Sequence, residues 1–355
     1  MKTVILVSPK LGIGGIQRAM TNLANWLSNN GYQVTFISCK KEALFYDLDP
    51  KVTLIVPPKA HPGKGGNLVF HYWFIIRFLR QQFKTIPAQN VISFGDSFNP
   101  LVLIAAMGLG KKVHVSDRTS PDYKFKWHVK WLKLITYQWS HTFIAQTSRA
   151  ASWNEKKFNN KLNIVVIPNQ VREVVVDSGA PKDKVVLYVG RFAWEKNPAA
   201  LIRAFAKLEQ KRDWKLVLLG DGPQLDDMKQ LTQTLGVATQ VEFKGQVKEV
   251  DYYFSRASVY VLPSVLEGFP NALCEAMAFG LPCLTSSKIP YADLGHNEED
   301  FLIADPDDID AFSQALQRLL NDETLRIFLG NNAKKINERL SLEKIGRLFE
   351  SILQH

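Results

Sequence analysis

Two glutamates in one short segment are the residues of this chain best placed to do chemistry. Glu267 and Glu275 lie eight residues apart in the stretch P-S-V-L-E-G-F-P-N-A-L-C-E-A-M-A-F-G-L-P. Pro270 and Asn271 favour the start of a helix there, and Gly280 favours its end. The loop that carries Glu267 would then lie against the free N–H groups of a helix N-terminus, which attract a phosphate or another anion.

Each carboxylate has a ligand that suits its position. Glu275 would lie one turn inside the helix, on the face of Asn271, where it could accept two hydrogen bonds from a diol such as ribose. Glu267, in the loop, could accept hydroxyl protons from a second sugar. The segment therefore predicts a nucleotide-sugar site. The alternative is that Glu275 only complements the helix dipole and Glu267 is an acid of a surface loop.

Two cations occur at a second strand-to-helix junction, in V-G-R-F-A-W-E-K-N-P (residues 189–198). Arg191 follows a predicted strand, and Lys196 comes just before a helix for which Asn197 is the predicted N-cap and Pro198 the first residue. A planar guanidinium and a point charge could together neutralise a diphosphate. Taken alone, two solvated surface cations are the better explanation, but both residues fall at the carboxyl end of a predicted strand, which favours a diphosphate site.

A glycine-rich turn follows the first predicted strand, in G-I-G-G-I-Q-R (residues 12–18). Gly14 and Gly15 would let a phosphate approach the backbone N–H groups, although a merely tight turn is an alternative. A dinucleotide fingerprint would need glycine at Gln17 and an acid where residues 38–40 are Ser-Cys-Lys. The sequence thus disfavours NAD, and we predict no cofactor.

The elements that must position these residues follow a β/α alternation that restarts at Lys184. This pattern predicts an α/β protein with two parallel, doubly wound sheets covered by helices. Ligands of such sheets bind beyond the carboxyl ends of the strands, so we expect the two domains to face a central cleft. The predicted domains are residues 1–172 and 173–339, and a final helix at about 340–355 could pack back on the first domain.

Composition and charge limit the classes of protein to which this chain could belong. The 355 residues are 46% hydrophobic and 22% charged, which is typical of a globular chain, and the three cysteines form no C-x-x-C pair, which favours a reducing cytosol. Residues 1–175 hold 23 Lys+Arg against 8 Asp+Glu, whereas the rest holds 21 against 26. No nucleic-acid-binding signature accompanies this basic half. An anionic membrane surface or a phosphate-bearing acceptor is the partner that we predict for it.

Two aromatic and basic segments lie in that half. Lys126, Lys130 and Lys133 are spaced to form one helical stripe beside Trp127 and Trp131, and residues 70–80 (F-H-Y-W-F-I-I-R-F-L-R) are similar in character. Such helices favour an interfacial position on a membrane. The alternative, which the sequence leaves open, is that the aromatic side chains pack in the core of the domain.

Five motifs in order resemble the retaining glycosyltransferases of family four, which have the GT-B fold of two Rossmann-like domains. They are G-G-I-Q-R, G-R-F-x-x-x-K-N-P, L-L-G-D-G-P, V-E-F-K-G-Q-V and P-S-x-x-E-G-F-P-N-A-L-x-E-A-M-A, and they span essentially the whole chain. The resemblance implies that Glu275 holds the ribose, Glu267 the donor sugar, and Arg191 and Lys196 the diphosphate. It also implies substrate contacts, largely from backbone groups, at Gly14, Gly15, Phe243, Lys244, Gly245, Phe269, Pro270, Asn271, Ala272 and Leu273.

The segment V-H-V-S-D-R-T-S-P-D-Y (residues 113–123) is similar to a branch of this family that carries Ser-acid-Arg and often acts on lipid-linked glycans. Asp117 could bind a donor or acceptor hydroxyl and Arg118 a substrate group. The alternative is that Asp117 and Arg118 only pair with each other.

The resemblance implies a retaining transfer of a hexose or N-acetylhexosamine, most simply from a UDP-sugar, to a polyprenyl-diphosphate-linked glycan by an enzyme on the inner face of the cell membrane. No metal is expected, because Asp47-Leu48-Asp49 lies outside the strand-end motifs and fixed cations could stabilise the leaving diphosphate. A nucleotide-sugar epimerase of the same architecture and a non-catalytic scaffold protein are the alternatives.

Overall fold

The computed structural model of the protein describes residues 2–12, 14–58, 68–174, 181–209, 211 and 213–354. The chain divides into two compact units. Unit 1 comprises Met1–Gln170 together with Leu342–His355, and unit 2 comprises Val171–Ser341. The boundaries expected from the sequence, after residues 172 and 339, each lie two residues from those of the structure.

Unit 1 is built on a parallel sheet whose seven strands, within the described residues, have the order β3-β2-β1-β4-β5-β6-β7. In chain order β1 to β7 are Lys2–Ser8, Tyr32–Ser38, Thr53–Ile55, Asn90–Phe94, Lys112–Ser116, Thr142–Ala145 and Ile164–Val166. Helices α1 to α5 are Gly15–Asn29, Leu68–Thr85, Asn99–Ala106, Trp127–Thr136 and Ser148–Lys157. This is the α/β alternation that the sequence predicts.

Unit 2 repeats the design with a six-stranded parallel sheet, ordered β10-β9-β8-β11-β12-β13 over the part of the unit that is described. Strands β8 to β13 are Val185–Val189, Lys215–Leu219, Val241–Gly245, Val259–Leu262, Cys283–Ser286 and Leu302–Ala304. Helices α6 to α12 are Pro198–Lys207, Leu225–Thr234, Val250–Arg256, Asn271–Ala278, Ile309–Asn321, Glu323–Ala333 and Ile336–Arg339. Strands β11 and β12 are buried at every position, as expected for strands covered by helices on both faces.

The last helix, α13 (Leu342–Gln354), completes unit 1. Trp26 Nε1 donates a hydrogen bond to Glu343 Oε2 at 2.7 Å, and Lys2 Nζ pairs with Glu350 Oε1 at 2.8 Å. A Cβ atom at Gly346 would come within 2.2 Å of the Trp26 ring, so the helix can approach this closely only with glycine at that position. The aromatic ring of Phe349 lies 5.9 Å from that of Phe94.

The parallel pairing of the strands determines at which edge of each sheet the candidate functional residues lie. Because all strands of a parallel sheet point the same way, the segments that follow them emerge at one edge, the carboxyl edge. In unit 2 the segments after β8 and β11, which are neighbouring strands, carry the cations and the glutamates identified from the sequence. In unit 1 the segments after β1, β4 and β5 share the corresponding edge.

Candidate functional site

The contact between Lys196 and Glu267 joins the two loops at the carboxyl edge of unit 2. Lys196 Nζ lies 2.6 Å from Glu267 Oε1, and the Glu267 residue is only 9% exposed. The backbone supports this pair, because the N–H groups of Val265 and Leu266 donate to the carbonyl oxygen of Glu195 at 2.9 and 3.2 Å. Lys196 is therefore not a solvated surface cation but the ion-pair partner of a buried glutamate.

Local backbone geometry places the cations. A short 3₁₀ turn, Trp194–Lys196, follows β8, and α6 begins at Pro198. Asn197 is the N-cap residue of α6, as the sequence predicts, but it adopts a left-handed conformation with φ of 46° and makes no side-chain capping bond. Asparagine tolerates this conformation better than most residues and lets the chain reverse between the turn and the helix. Arg191 is largely exposed and pairs with Glu195, four residues on.

Helix α9 begins at Asn271 and its end is followed by Gly280 with φ of 71°, as the sequence predicts. Leu273 and Phe269 are buried and anchor the first turn, while Asn271 and Ala272 are half-buried. The N-cap residue, Pro270, provides no side-chain bond to the helix N-terminus. The start of α9 thus lies directly after the Glu267 loop, as an anion site would require.

Glu275 lies one turn inside α9 with a side chain that is 13% exposed. Its Oε2 atom is 3.8 Å from Nε of Arg172, a residue that we did not identify from the sequence. Arg172 Nη1 also donates to Asp251 Oδ2 at 2.6 Å, and this hydrogen bond is the main reason that the pKa of Arg172 is raised. Arg172 thereby places a permanent positive charge beside the glutamate proposed for the ribose.

The strand end expected to meet the base is irregular. In β10 the pairing register shifts between Phe243 and Gly245, and Gly245 has φ of 66°. Lys244 is exposed and pairs with Glu242 at 2.7 Å, whereas Phe243 packs its ring 5.9 Å from that of Phe192. These residues share the carboxyl edge with the glutamate loop but lie two strands from β8, so they form a separate part of that edge.

In unit 1 the glycine turn leads into α1, which starts at Gly15. A Cβ atom at Gly14 would lie 2.3 Å from Gln17 Oε1, so a larger residue there would displace the end of that side chain. The turn is held by a residue that the sequence did not reveal: Glu42 Oε1 accepts hydrogen bonds from the N–H groups of Leu11 and Gly12 at 2.8 and 3.0 Å. No sequence pattern indicates this contact, because Glu42 lies 30 residues after Gly12 in the chain.

A buried polar cluster lies after β4 and β5. Lys133 Nζ contacts Asp96 Oδ1 at 3.1 Å and Asp117 Oδ2 at 2.7 Å, and Tyr137 donates its hydroxyl proton to Asp117 Oδ1 at 2.5 Å. We define Asp96, Asp117, Arg118, Lys133 and Tyr137 as the acid cluster. Lys133 is 5% exposed, so our prediction that it belongs to a surface stripe was wrong.

The contacts in the acid cluster contradict the alternative that Asp117 and Arg118 only pair with each other. Across the described residues no ion pair joins them, because both oxygens of Asp117 are engaged by Lys133 and Tyr137. Burial, together with the charge of Asp117, raises the pKa of Asp96 to about 6, and the ammonium of Lys133 opposes this shift. Despite burial, the two carboxylates hold the pKa of Lys133 above its usual value.

Four aromatic residues of α2 and α4, namely Phe70, Trp73, Trp127 and Trp131, face outwards, whereas Phe78 of α2 is buried in the core. Trp127 and Trp131 are 73% and 60% exposed, and Trp73 stacks on Phe70 with ring centroids 5.8 Å apart. Packing of these rings in the core, the alternative left open by the sequence, is therefore excluded for these four residues. The buried residues of α4 are instead Val129, Lys133 and Thr136. No helix within the described residues is long and apolar enough to cross a membrane.

Two family models match the chain in succession. Glycosyltransferase Family 4 matches residues 13–173, and Glycosyl transferases group 1 matches residues 172–336. The chain belongs to the family-four glycosyltransferases. The glutamate segment, Arg191, Lys196, Gly14 and Gly15 all lie inside the matched regions, so the candidate site residues of this glycosyltransferase lie where the family models apply.

The glycosyltransferase is similar over most of its length to the GalNAc-alpha-(1->4)-GalNAc-alpha-(1->3)-diNAcBac-PP-undecaprenol alpha-1,4-N-acetyl-D-galactosaminyltransferase of Campylobacter jejuni, with 27% identity over 339 residues, 94% of this chain and 93% of the relative. The UDP-Gal:alpha-D-GlcNAc-diphosphoundecaprenol alpha-1,3-galactosyltransferase of Escherichia coli is 30% identical over 241 residues, 61% and 62% of the two chains. Among solved structures, sucrose-phosphate synthase from Thermosynechococcus elongatus matches with a TM-score of 0.81 at 19% identity, over 100% of this chain and 98% of that one. This likeness supports the GT-B fold for the glycosyltransferase.

Proposed function

We propose that this glycosyltransferase moves a hexose or N-acetylhexosamine from a UDP-sugar to a polyprenyl-diphosphate-linked glycan, as a step in building a bacterial surface polysaccharide or glycan. The observation that carries the proposal is the contact of Lys196 with Glu267 at 2.6 Å, directly before the start of α9. This contact brings a cation and a carboxylate together next to a helix N-terminus at one strand edge. The names of the two relatives, both acting on undecaprenyl-diphosphate-linked sugars, support the acceptor class.

Each part of the donor has a proposed partner in unit 2. Glu275 accepts the hydroxyl hydrogens of the ribose, and Arg191 and Lys196 neutralise the diphosphate with help from the backbone N–H groups at the start of α9. Glu267 accepts hydroxyl hydrogens of the transferred sugar. The uracil base is read by backbone groups of residues 243–245. Separately, Gly14 and Gly15 of unit 1 are proposed to contact a substrate phosphate through their N–H groups.

The proposed reaction retains the anomeric configuration. The bond between the anomeric carbon and the diphosphate oxygen breaks first, which leaves a short-lived oxocarbenium ion. The acceptor hydroxyl then attacks on the face that the diphosphate left, and the diphosphate takes the proton of that hydroxyl. Fixed positive charges on Arg191 and Lys196 stabilise the leaving group without reorganisation, so we propose that transfer needs no metal ion.

The acceptor is proposed to reach the enzyme at a membrane. The exposed rings of Phe70, Trp73, Trp127 and Trp131 have the apolar character of interfacial side chains, and exposed lysines such as Lys130 accompany them. Anionic lipid would attract the basic N-terminal half, which carries 23 Lys+Arg against 8 Asp+Glu over residues 1–175. The proposed location is therefore the cytoplasmic face of the cell membrane, as a peripheral protein.

The test is a transfer assay with purified protein, a panel of UDP- and GDP-sugars and a synthetic lipid-diphosphate glycan acceptor. We expect one UDP-sugar to be consumed, a product with the anomeric configuration of the donor by NMR, and full activity in excess EDTA. An inverted product would contradict retention, and loss of activity in EDTA that Mg²⁺ or Mn²⁺ restores would contradict metal independence. A mixture of nucleotide-sugars formed without acceptor would indicate an epimerase, and failure to bind or turn over any nucleotide-sugar would indicate a scaffold protein.

A further inference from the structure

Arg118 is held in place by three contacts inside unit 1. Its backbone N–H donates to Asp96 Oδ2 at 2.9 Å, and its Nη1 atom donates to Asn169 Oδ1. The guanidinium lies over the ring of Phe94 with 3.5 Å between the guanidinium carbon and the ring centroid. Because it stacks on one side and is bonded through Nη1, the guanidinium plane is fixed in both tilt and rotation.

The other edge of this guanidinium has no partner. Nε and Nη2 are both buried, and neither makes a hydrogen bond to any residue that the structure describes. These two atoms carry the pair of parallel N–H bonds that bind a carboxylate or phosphate with two hydrogen bonds. A buried donor without an acceptor is unfavourable, and here two lie side by side on a charged group.

The neighbouring acids do not supply the missing acceptor. Asp96 gives Oδ1 to Lys133 and Oδ2 to the backbone of Arg118, and Asp117 gives its oxygens to Lys133 and Tyr137. Lys133 therefore binds the two carboxylates that would otherwise attract the guanidinium. Burial lowers the pKa of Arg118 to about 9 against the opposing effect of both carboxylates, which still leaves the side chain charged at neutral pH.

We propose that the Nε–Nη2 edge of Arg118 binds an oxyanion of a diphosphate substrate, and that Asp117 is a positioning residue of the acid cluster rather than a group that meets substrate. This rests on the proposed function, which supplies two diphosphates, one in the acceptor and one in the donor. Arg118 is half-buried as a whole and follows β5 at the carboxyl edge, where substrates of such sheets bind. The bound oxyanion must displace the atoms that now cover the edge.

The first test compares Arg118→Lys with the wild type, and uses Arg149→Lys, an arginine of unit 1 that pairs with Asp122 on the surface, as the matched control. Lysine keeps the charge but loses the paired N–H bonds. If the oxyanion belongs to the acceptor, KM for a lipid-diphosphate glycan should rise about tenfold or more, and KM for the same glycan on an uncharged lipid should not change. If it belongs to the donor, the dissociation constant of UDP should rise instead. No change in either quantity would overturn the proposal.

A second measurement uses the wild-type protein, in case the variant does not fold. With ¹⁵N-labelled arginine, the Nε–H resonance of Arg118 is followed by NMR during titration with inorganic pyrophosphate and then with UDP. A saturable shift of this resonance is expected with at least one of them, while that of Arg149 stays unchanged. A resonance of Arg118 that responds to neither ligand would refute this inference, while the proposed function is judged separately by the transfer assay. Since the titration needs no turnover, it decides the inference even if the transfer assay fails.

Discussion

Lys133 Nζ lies 2.7 Å from Asp117 Oδ2, so a lysine of helix α4 is directed into the carboxyl edge of the sheet. The same ammonium reaches Asp96 at 3.1 Å, and the three side chains are 5% to 13% exposed. One cation therefore balances two buried carboxylates that follow different strands. Removal of such a cation leaves charges that are both desolvated and mutually repulsive.

Replacement of Lys133 by methionine should destabilise the protein by ~3–5 kcal/mol, since it breaks a buried ion pair on one side only. The matched control is Lys130→Met, on the exposed part of the same helix, which should change stability by no more than ~0.5 kcal/mol. Denaturant unfolding of both variants measures the difference. Equal stabilities for the two variants would show that the acid cluster does not depend on Lys133.

Asp96 should make stability depend on pH in the acidic range. Burial and the charge of Asp117 raise its pKa from 3.8 to about 6 in the folded protein. The folded state then holds this proton more tightly than the unfolded chain, so the stability that Asp96 contributes is complete below pH 3.8 and is lost as the pH rises towards 6. Asp96→Asn should reduce the change of the free energy of unfolding with pH between those two pH values. Parallel slopes for the variant and the wild type, by denaturant unfolding at several pH values, would contradict the raised pKa.

The two glutamates of unit 2 should differ in what they bind. Glu275→Ala should weaken binding of UDP by ~1.5–3 kcal/mol, the value of hydrogen bonds to a charged group. Glu267→Ala should lower kcat with a much smaller effect on UDP binding, because its proposed partner is the transferred sugar. Glu298→Ala, which removes only the exposed partner of Arg318, is the control. Calorimetry with UDP alone separates the roles, and an equal loss of UDP binding in the Glu267 and Glu275 variants would refute them.

The exposed rings of α4 should determine attachment to lipid. Trp127→Ser combined with Trp131→Ser should reduce binding to vesicles that contain anionic lipid about tenfold or more, because two large apolar side chains no longer leave water. Ile327→Ser combined with Phe328→Ser, a pair in unit 2 that is 58% and 50% exposed, is the control. Vesicle flotation at low and high salt measures both changes. If the control pair reduces flotation as much, α4 has no special part in attachment.

Local sequence patterns were enough to predict the segments that carry the residues proposed to bind the sugar donor. The Pro-Asn start and glycine end of α9 are properties of adjacent residues, as is the β/α alternation that defines both sheets. Strands β3, β7, β12 and β13 were not predicted, and β3, β7 and β13 each have only three residues, which are too few to show a periodicity. The N-cap position of Asn197 was predicted but its left-handed backbone was not, because asparagine suits both a helix cap and that conformation.

Contacts between distant residues explain what the sequence did not show. The spacing of Lys126, Lys130 and Lys133 fits one helical stripe, yet Lys133 is buried because its partners, Asp96 and Asp117, lie 37 and 16 residues away in the chain. Hydrophobicity alone would also direct Trp127 and Trp131 inwards. In the structure, α4 buries the face that carries Lys133, because the carboxylates of Asp96 and Asp117 need a cation. Trp127 and Trp131 therefore lie on the exposed face of the helix.

Helix α13 has a consequence for how the protein is made. Unit 2 is one continuous stretch of chain, whereas unit 1 needs α13 to cover Trp26 and to place Phe349 beside Phe94. During synthesis this helix leaves the ribosome only after all of unit 2. The usual order, in which the N-terminal domain finishes folding first, is therefore reversed for the final packing step. Until then the nascent sheet of unit 1 presents an uncovered apolar surface, and a chaperone that binds such surfaces would act on this unit for longer than on the other.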